Sequence, residues 1–215
     1  MEKKPFLNIY FKYLIFFTIG SFIGCLFETV LFYLKNGYLT TRQGLIYGPF
    51  IPVYGVGILL SALLLGKLRN NNKKILIFLI GGVTCGIGEY LFSYVQEKFF
   101  HTYSWDYSKY PLNIGGRTSV IHIIIWGLLI YLFMQYIYPL MIKWINRIKN
   151  KNKIILSIII TIFFILNFVI SSLACNREYE RYKNIPANNK LDKFLDKYYD
   201  DEFLDKIYPN KKYKK

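Results

Sequence analysis

Two stretches of nine residues, GSFIGCLFE at 20–28 and GGVTCGIGE at 81–89, each run through apolar sequence and end in a glutamate. A carboxylate facing hydrocarbon costs roughly 2.5–3.5 kcal/mol on insertion scales, so such an acid is expected to face protein, a cavity or a partner. Gly20, Gly24 and Glu28 are four apart, as are Gly81, Cys85 and Glu89. On a helix that spacing lines them along one face. Small residues there let another helix approach closely, which makes Gly20, Gly24, Gly81 and Cys85 helix-packing positions. Two roles suit the acid at the end of each strip. It can hydrogen-bond a neighbouring helix and fix its packing, or it can bind a cation or exchange a proton.

Cationic groups stand within reach of both acids. Glu28 lies six residues before Leu34, the end of its apolar run. That is about 9 Å along a helix axis, close enough for Arg42 in TTRQGLIYGP to pair with it. Arg117 in NIGGRTS holds a similar place before another apolar run and could serve Glu89. Asp106, between Trp105 and Tyr107, suits either a ligand to an external group or the cap of a short helix. His101 and His122 have no partner at metal-ligand spacing. The three cysteines form neither a disulfide framework nor a metal motif. No metal and no cofactor are expected.

The elements that must position these groups are membrane spans. The chain is 53% hydrophobic with a net charge of +15, and its apolar residues come in blocks while its basic residues fall between them. That pattern excludes a nucleic-acid binder, whose basic residues would share one folded surface. It reads as an all-α integral membrane protein with about five transmembrane helices, at 11–34, 48–66, 75–97, 119–141 and 154–174. The second segment opens with GPFIPVYGVG, so it either spans or enters and bends within the protein interior. The first apolar run is too long for a signal-peptide core and lacks a cleavage site, so no cleavable leader is expected. Twelve lysines and arginines flank the spans on the side of the N-terminus and the 67–74 and 143–153 loops. Five (Lys35, Arg42, Lys98, Lys109 and Arg117) lie on the other side. The positive-inside rule therefore makes this a multi-pass cell-membrane protein with a cytoplasmic N-terminus.

An internal repeat organises the first four spans. Shifting the chain by 61 superimposes Phe17 on Phe78, Gly20 on Gly81 and Glu28 on Glu89. A shift of 72 superimposes Gly44 on Gly116, Tyr54 on Trp126 and Gly55 on Gly127. The second unit thus has an outer loop longer by 11 residues, and both units start on one side, which makes the two-helix repeat parallel. Three regions follow: a transmembrane repeat region at 1–141 (units about 11–66 and 75–141), a basic loop and fifth span at 142–174, and an amphipathic charged tail at 175–215. Trp105, Tyr107 and Tyr110 suit a membrane interface. In the tail, Leu191, Phe194, Leu195 and Tyr198 recur at helical spacing, an amphipathic helix to lie on the bilayer or on the protein.

These residues together resemble the ABC-transporter type IV membrane proteins, the CmpB-like permeases. The resemblance rests on the strip ending in Glu28, RQGLIYGPFIPVYGVG at 42–57, the span with Glu89, WDYSKYPLNIGGR at 105–117, Trp126-Gly127, and the tail KLDKFLDKYYDDEFLDKIYPN at 190–210. It implies a multi-span permease. The residues themselves contain no GxxxxGK[ST] phosphate loop, so the chain has no ATP-binding motif of that kind. KLRNNNKK at 67–74 leaves no room for a sizeable coupling helix, and a separate ATPase subunit would dock elsewhere, for example at 142–153. Three readings stand. The first is a transport-type protein of unknown substrate with Glu28, Glu89, Arg42, Arg117 and Asp106 as candidate substrate or proton site. The second is a non-catalytic accessory or assembly component. The third is a lipid-active membrane enzyme with Glu28 or Asp106 as general base, for which no nucleophile–base pair is visible. The partners expected are the lipid bilayer and no nucleic acid; an ATPase subunit and a homo-oligomer are both compatible with the sequence.

Overall fold

A chain in lipid must satisfy every backbone amide internally, and this one does so with long helices. The computed structural model describes residues 5–70 and 73–213. Its spans are α1 (Pro5–Asn36), α2 (Pro52–Asn70), α3 (Lys74–Phe100), the paired segment α4 (Val120–Leu132) and α5 (Tyr138–Arg147), and α6 (Asn150–Tyr182). Five such segments among the described residues are long and apolar enough to cross a membrane. Two short helices follow, α7 (Lys190–Tyr198) and α8 (Asp201–Ile207). The little sheet present consists of two-residue strands: β1 (Thr102–Tyr103) pairs antiparallel with β4 (Lys212–Tyr213), and β2 (Asn113–Ile114) with β3 (Thr118–Ser119). Lys3, Lys4 and Asn71, which enter the charge count or its connecting loop, lie outside the described residues.

The second segment spans, and its start lies further along the chain than 48. Pro52 opens α2 at a position where a missing N–H costs nothing. Residues 44–51 before it are irregular, which lipid would not tolerate but protein does. Their backbone is satisfied by side chains of the fifth span: Asn167 accepts from Tyr47 N at 3.1 Å and donates to Tyr47 O at 2.6 Å, while Ser171 Oγ accepts from Ile46 N at 3.0 Å. Ile51 N donates to Ser21 O of α1 at 3.0 Å. The interior bend and the full span foreseen as alternatives from GPFIPVYGVG therefore occur in succession.

The fourth span is interrupted by a π-helical turn, Phe133–Ile137. Pro139 explains it, since a proline ring crowds the carbonyl four residues earlier, that of Gln135, and a wider turn relieves the clash. The turn also leaves the Met134 carbonyl to Arg69 Nε, which donates to it at 2.8 Å.

α1 packs on α2, and α3 packs on α4, through corresponding contacts. A Cβ added at Gly55 would come 2.6 Å from Phe17 O, and one at Gly127 would come 2.7 Å from Phe78 O. Gly20 lies against Ile58, and Gly81 against Ile130. Each of these pairs maps onto its counterpart by the shifts of 61 and 72. Cys85 faces α2 instead, where its Sγ would meet a Cβ on Gly57 at 3.2 Å. Gly82 and Gly86, absent from the packing positions read in sequence, seat Ile123 of α4.

A buried apolar core around Phe16, Leu65, Ile77, Phe133 and Met134 closes the bundle toward the end where α1 begins. A second one, of Ile46, Ala174, Leu195, Tyr199 and Leu204, lies at the opposite end, called here the loop face. It is built by the tail, so α7 rests on protein, with Leu195 buried against the end of α6. Asn189 and Asp200 cap α7 and α8 by accepting from Asp192 N and Phe203 N, each at 2.8 Å.

Candidate functional site

Between the two cores, toward the loop face, lies a cavity of about 1100 Å³. Glu28 of α1 and Glu89 of α3 both line it, with walls from the 42–54 segment, α4, α6 and the tail. The two carboxylates are close enough to interact electrostatically.

Each acid is held by residues that the fold brings back to it. Tyr54, at the start of α2, donates its hydroxyl to Glu28 Oε1 at 2.5 Å. Arg42 reaches Glu28 Oε2 at 3.4 Å, and its guanidinium lies over the Phe32 ring, 5.2 Å from the centroid. Gly24 makes room for this arrangement, because any Cβ there would overlap the Tyr54 ring.

Glu89 is buried and has a different set of partners. Tyr107 donates to its Oε1 at 3.0 Å and Thr118 to its Oε2 at 2.9 Å. Trp126, the counterpart of Tyr54, adds a polar contact. The Tyr54 and Trp126 rings meet at 4.8 Å between centroids, and Tyr107 stacks on His122 at 3.6 Å. Burial, then the charge of Glu89, hold the Tyr107 phenol well above its ordinary pKa, so it stays a donor.

Two of the residues expected at the site stand elsewhere. Arg117 does not serve Glu89; its guanidinium pairs with Glu97, donates to Ser93 Oγ at 3.2 Å and lies over Tyr90 and Tyr94. The repeat register explains this. The shift of 72 that matches Gly44 with Gly116 puts Ile114, not Arg117, at the place of Arg42. Asp106 caps no helix and is exposed, accepting from Ser108 N at 2.9 Å and Ser108 Oγ at 2.5 Å in a local turn. Those bonds hold its carboxyl below the usual carboxylate value. Neither Arg117 nor Asp106 lines the cavity. The hydroxyls of Tyr54, Tyr107 and Thr118 are the functional groups that spacing alone did not single out.

The tail roofs the cavity. Tyr208, Pro209, Asn210 and Lys211 line it, and Lys211 pairs with buried Glu178 of α6. Arg177 holds α7 through Asp196 at 2.8 Å, and Arg181 reaches Asp196 and Asp201 at 2.7 Å each. The Tyr47 and Tyr199 hydroxyls share a hydrogen bond of 2.6 Å. Among the described residues no group of three His, Cys, Asp or Glu side chains is placed to hold a metal ion.

The family model described as "Putative ABC-transporter type IV" matches residues 15–172, which takes in both glutamates and all but the end of α6. The match ends before the tail. No curated protein and no solved structure matches the chain.

Proposed function

We propose that this chain, which belongs to the ABC-transporter type IV family, is the permease of a cell-membrane transport system and that its solute site is the cavity between Glu28 and Glu89. The observation that carries the reading is the placement of two membrane-depth carboxylates on one shared cavity between two corresponding helix pairs. Intramembrane acids on an aqueous cavity mark solute and ion pathways, and parallel-repeat transporters keep their sites between the repeats. A helix-packing role would need no such volume beside the acids. The core around Phe16, Leu65 and Phe133 supports a state closed toward the far end. The charge asymmetry favours a cytoplasmic N-terminus and an outer loop face. The connection between α2 and α3 is short, which favours the basic stretch 142–153 as the place for a separate ATPase subunit.

The test is access. In a background lacking the native cysteines, Leu129→Cys on the cavity wall is expected to react with an impermeant thiol reagent from the loop face at rest, and from the opposite face when the membrane is energised. Cysteines at Lys73 and Ser108 provide the side markers and should always label from opposite sides. Labelling of position 129 from the loop face alone under every condition would overturn transport and leave an accessory component.

A further inference from the structure

The charged groups around the cavity are not all paired in the same way. Glu28 has Arg42, and Glu178 has Lys211. Lys35 sits exposed on the lining. Glu89 is buried, and among the described residues its partners are neutral: two hydroxyls and an indole. A hydroxyl donor on each oxygen orients the carboxylate without supplying a counter-charge. A cation that enters beside it favours its ionised form.

The surroundings select among cations. Among the described residues no three His, Cys, Asp or Glu side chains come together as a metal site of those ligands would require. Inorganic monovalent ions would leave most of about 1100 Å³ unused. Tyr54, Tyr107 and Trp126 line the cavity together with Glu89. Rings arranged around a carboxylate are how proteins recognise alkylated ammonium groups, since the ring quadrupole attracts the charge while the methyl groups pack on carbon. Beyond the rings the lining turns aliphatic and aromatic, with Phe27, Leu31, Phe92, Phe99, Ile125 and Leu129.

We propose that the space bounded by Glu89, Tyr54, Tyr107 and Trp126 binds an alkylated ammonium group, and that the apolar wall beyond holds the hydrophobic body that carries it. The inference rests on the cavity being the solute site. The ammonium can come on a soluble organic cation or as the head of a choline lipid.

The probe is benzyltrimethylammonium, titrated calorimetrically into the purified full chain in an uncharged maltoside detergent. Its control is neopentylbenzene, which has the same shape with carbon in place of nitrogen. The expected result is saturable binding of the cation, at least about tenfold tighter than the isostere, with a loss of at least about tenfold in Glu89→Gln. Trp126→Leu, which leaves the carboxylate in place, is expected to weaken the cation by several-fold and serves if Glu89→Gln does not fold. Repeating the titration in nanodiscs separates the sources. Competition by choline-headed but not glycerol-headed lipid assigns the site to a lipid head, and no competition assigns it to a soluble cation. Equal binding of ion and isostere, undiminished binding in folded Glu89→Gln, or no binding to the wild type would overturn the proposal. Cation binding with single-sided labelling at position 129 would instead sink transport and keep the site. Two-sided labelling without cation preference would keep transport and sink this ligand.

Discussion

Glu28 and Glu89 occupy the same place in two helix pairs and are kept by different means. The first has a phenol and a guanidinium and remains partly exposed. The second is buried among hydroxyls and an indole. The loops account for the difference. The segment after α1 is short and delivers Arg42 directly over its acid, whereas the segment after α3 is longer and folds the β2–β3 hairpin, which carries Thr118. Tyr107 comes from the same loop, its backbone N bonded to Gly116 O at 2.7 Å. One acid therefore arrives already neutralised. The other has no cationic partner among the described residues, and this asymmetry within a symmetric frame distinguishes two otherwise equivalent positions.

The frame is the part that should break hardest. Gly55→Ala and Gly127→Ala each drive a methyl group into a backbone carbonyl of the partner helix. Both should destabilise the purified chain, by about 1–3 kcal/mol or more since the obstacle is backbone. Denaturation in detergent measures this. A large loss at one glycine with none at the other would end the equivalence of the two pairs.

The acids themselves give the next effect. Thr118→Val removes one of the hydroxyls from buried Glu89 and should cost about 1–3 kcal/mol. Arg42→Gln breaks a partly exposed ion pair and should cost only about 0–1 kcal/mol. Equal losses in the two variants would erase the contrast drawn here. A greater loss from Arg42→Gln would reverse it.

The smallest effect concerns the roof. Arg177, and then Arg181, hold the Asp196 carboxyl below its ordinary value. A carboxylate with a lowered folded-state pKa contributes its full stabilisation above the unfolded value, about 3.9, and loses it as pH falls through the lower folded value. Hydrogen-exchange protection of α7 and α8, taken relative to the intrinsic exchange rate at each pH, should thus be flat across neutral pH and fall only below about pH 4, ahead of protection in α3. Release of α7 already near pH 6 would show that other groups hold the tail.

Much of the frame was legible because apolar length and glycine spacing are local signals. The glycine strips, the corresponding positions of the two pairs and the reach of Arg42 to Glu28 all depend on residues within one span and its adjoining loop. What spacing could not convey was long-range. Thr118 and Tyr107 act on an acid in the preceding helix only because a hairpin turns back over it. Asn167 and Ser171 satisfy a loop more than a hundred positions earlier. Arg117 was assigned to Glu89 by its nearness to a span end, although the repeat register already placed Ile114 opposite Arg42. The π turn was signalled by Pro139, whose effect on the backbone a hydropathy average over the whole span does not register.

The pairing of β4 with β1 has a consequence for biogenesis. Thr102 and Tyr103 are made when only α1, α2 and α3 exist, yet their strand partner is Tyr213 and Lys212, which follow α6. During synthesis the cavity therefore stands without its roof until the tail has been delivered to the loop face. Once α4 and α6 are made and before the tail arrives, Glu89 and the rings beside it stand without that cover. A chain stopped short of the tail would insert its spans and lack this cover, so the accessibility of Glu89 distinguishes finished copies from unfinished ones.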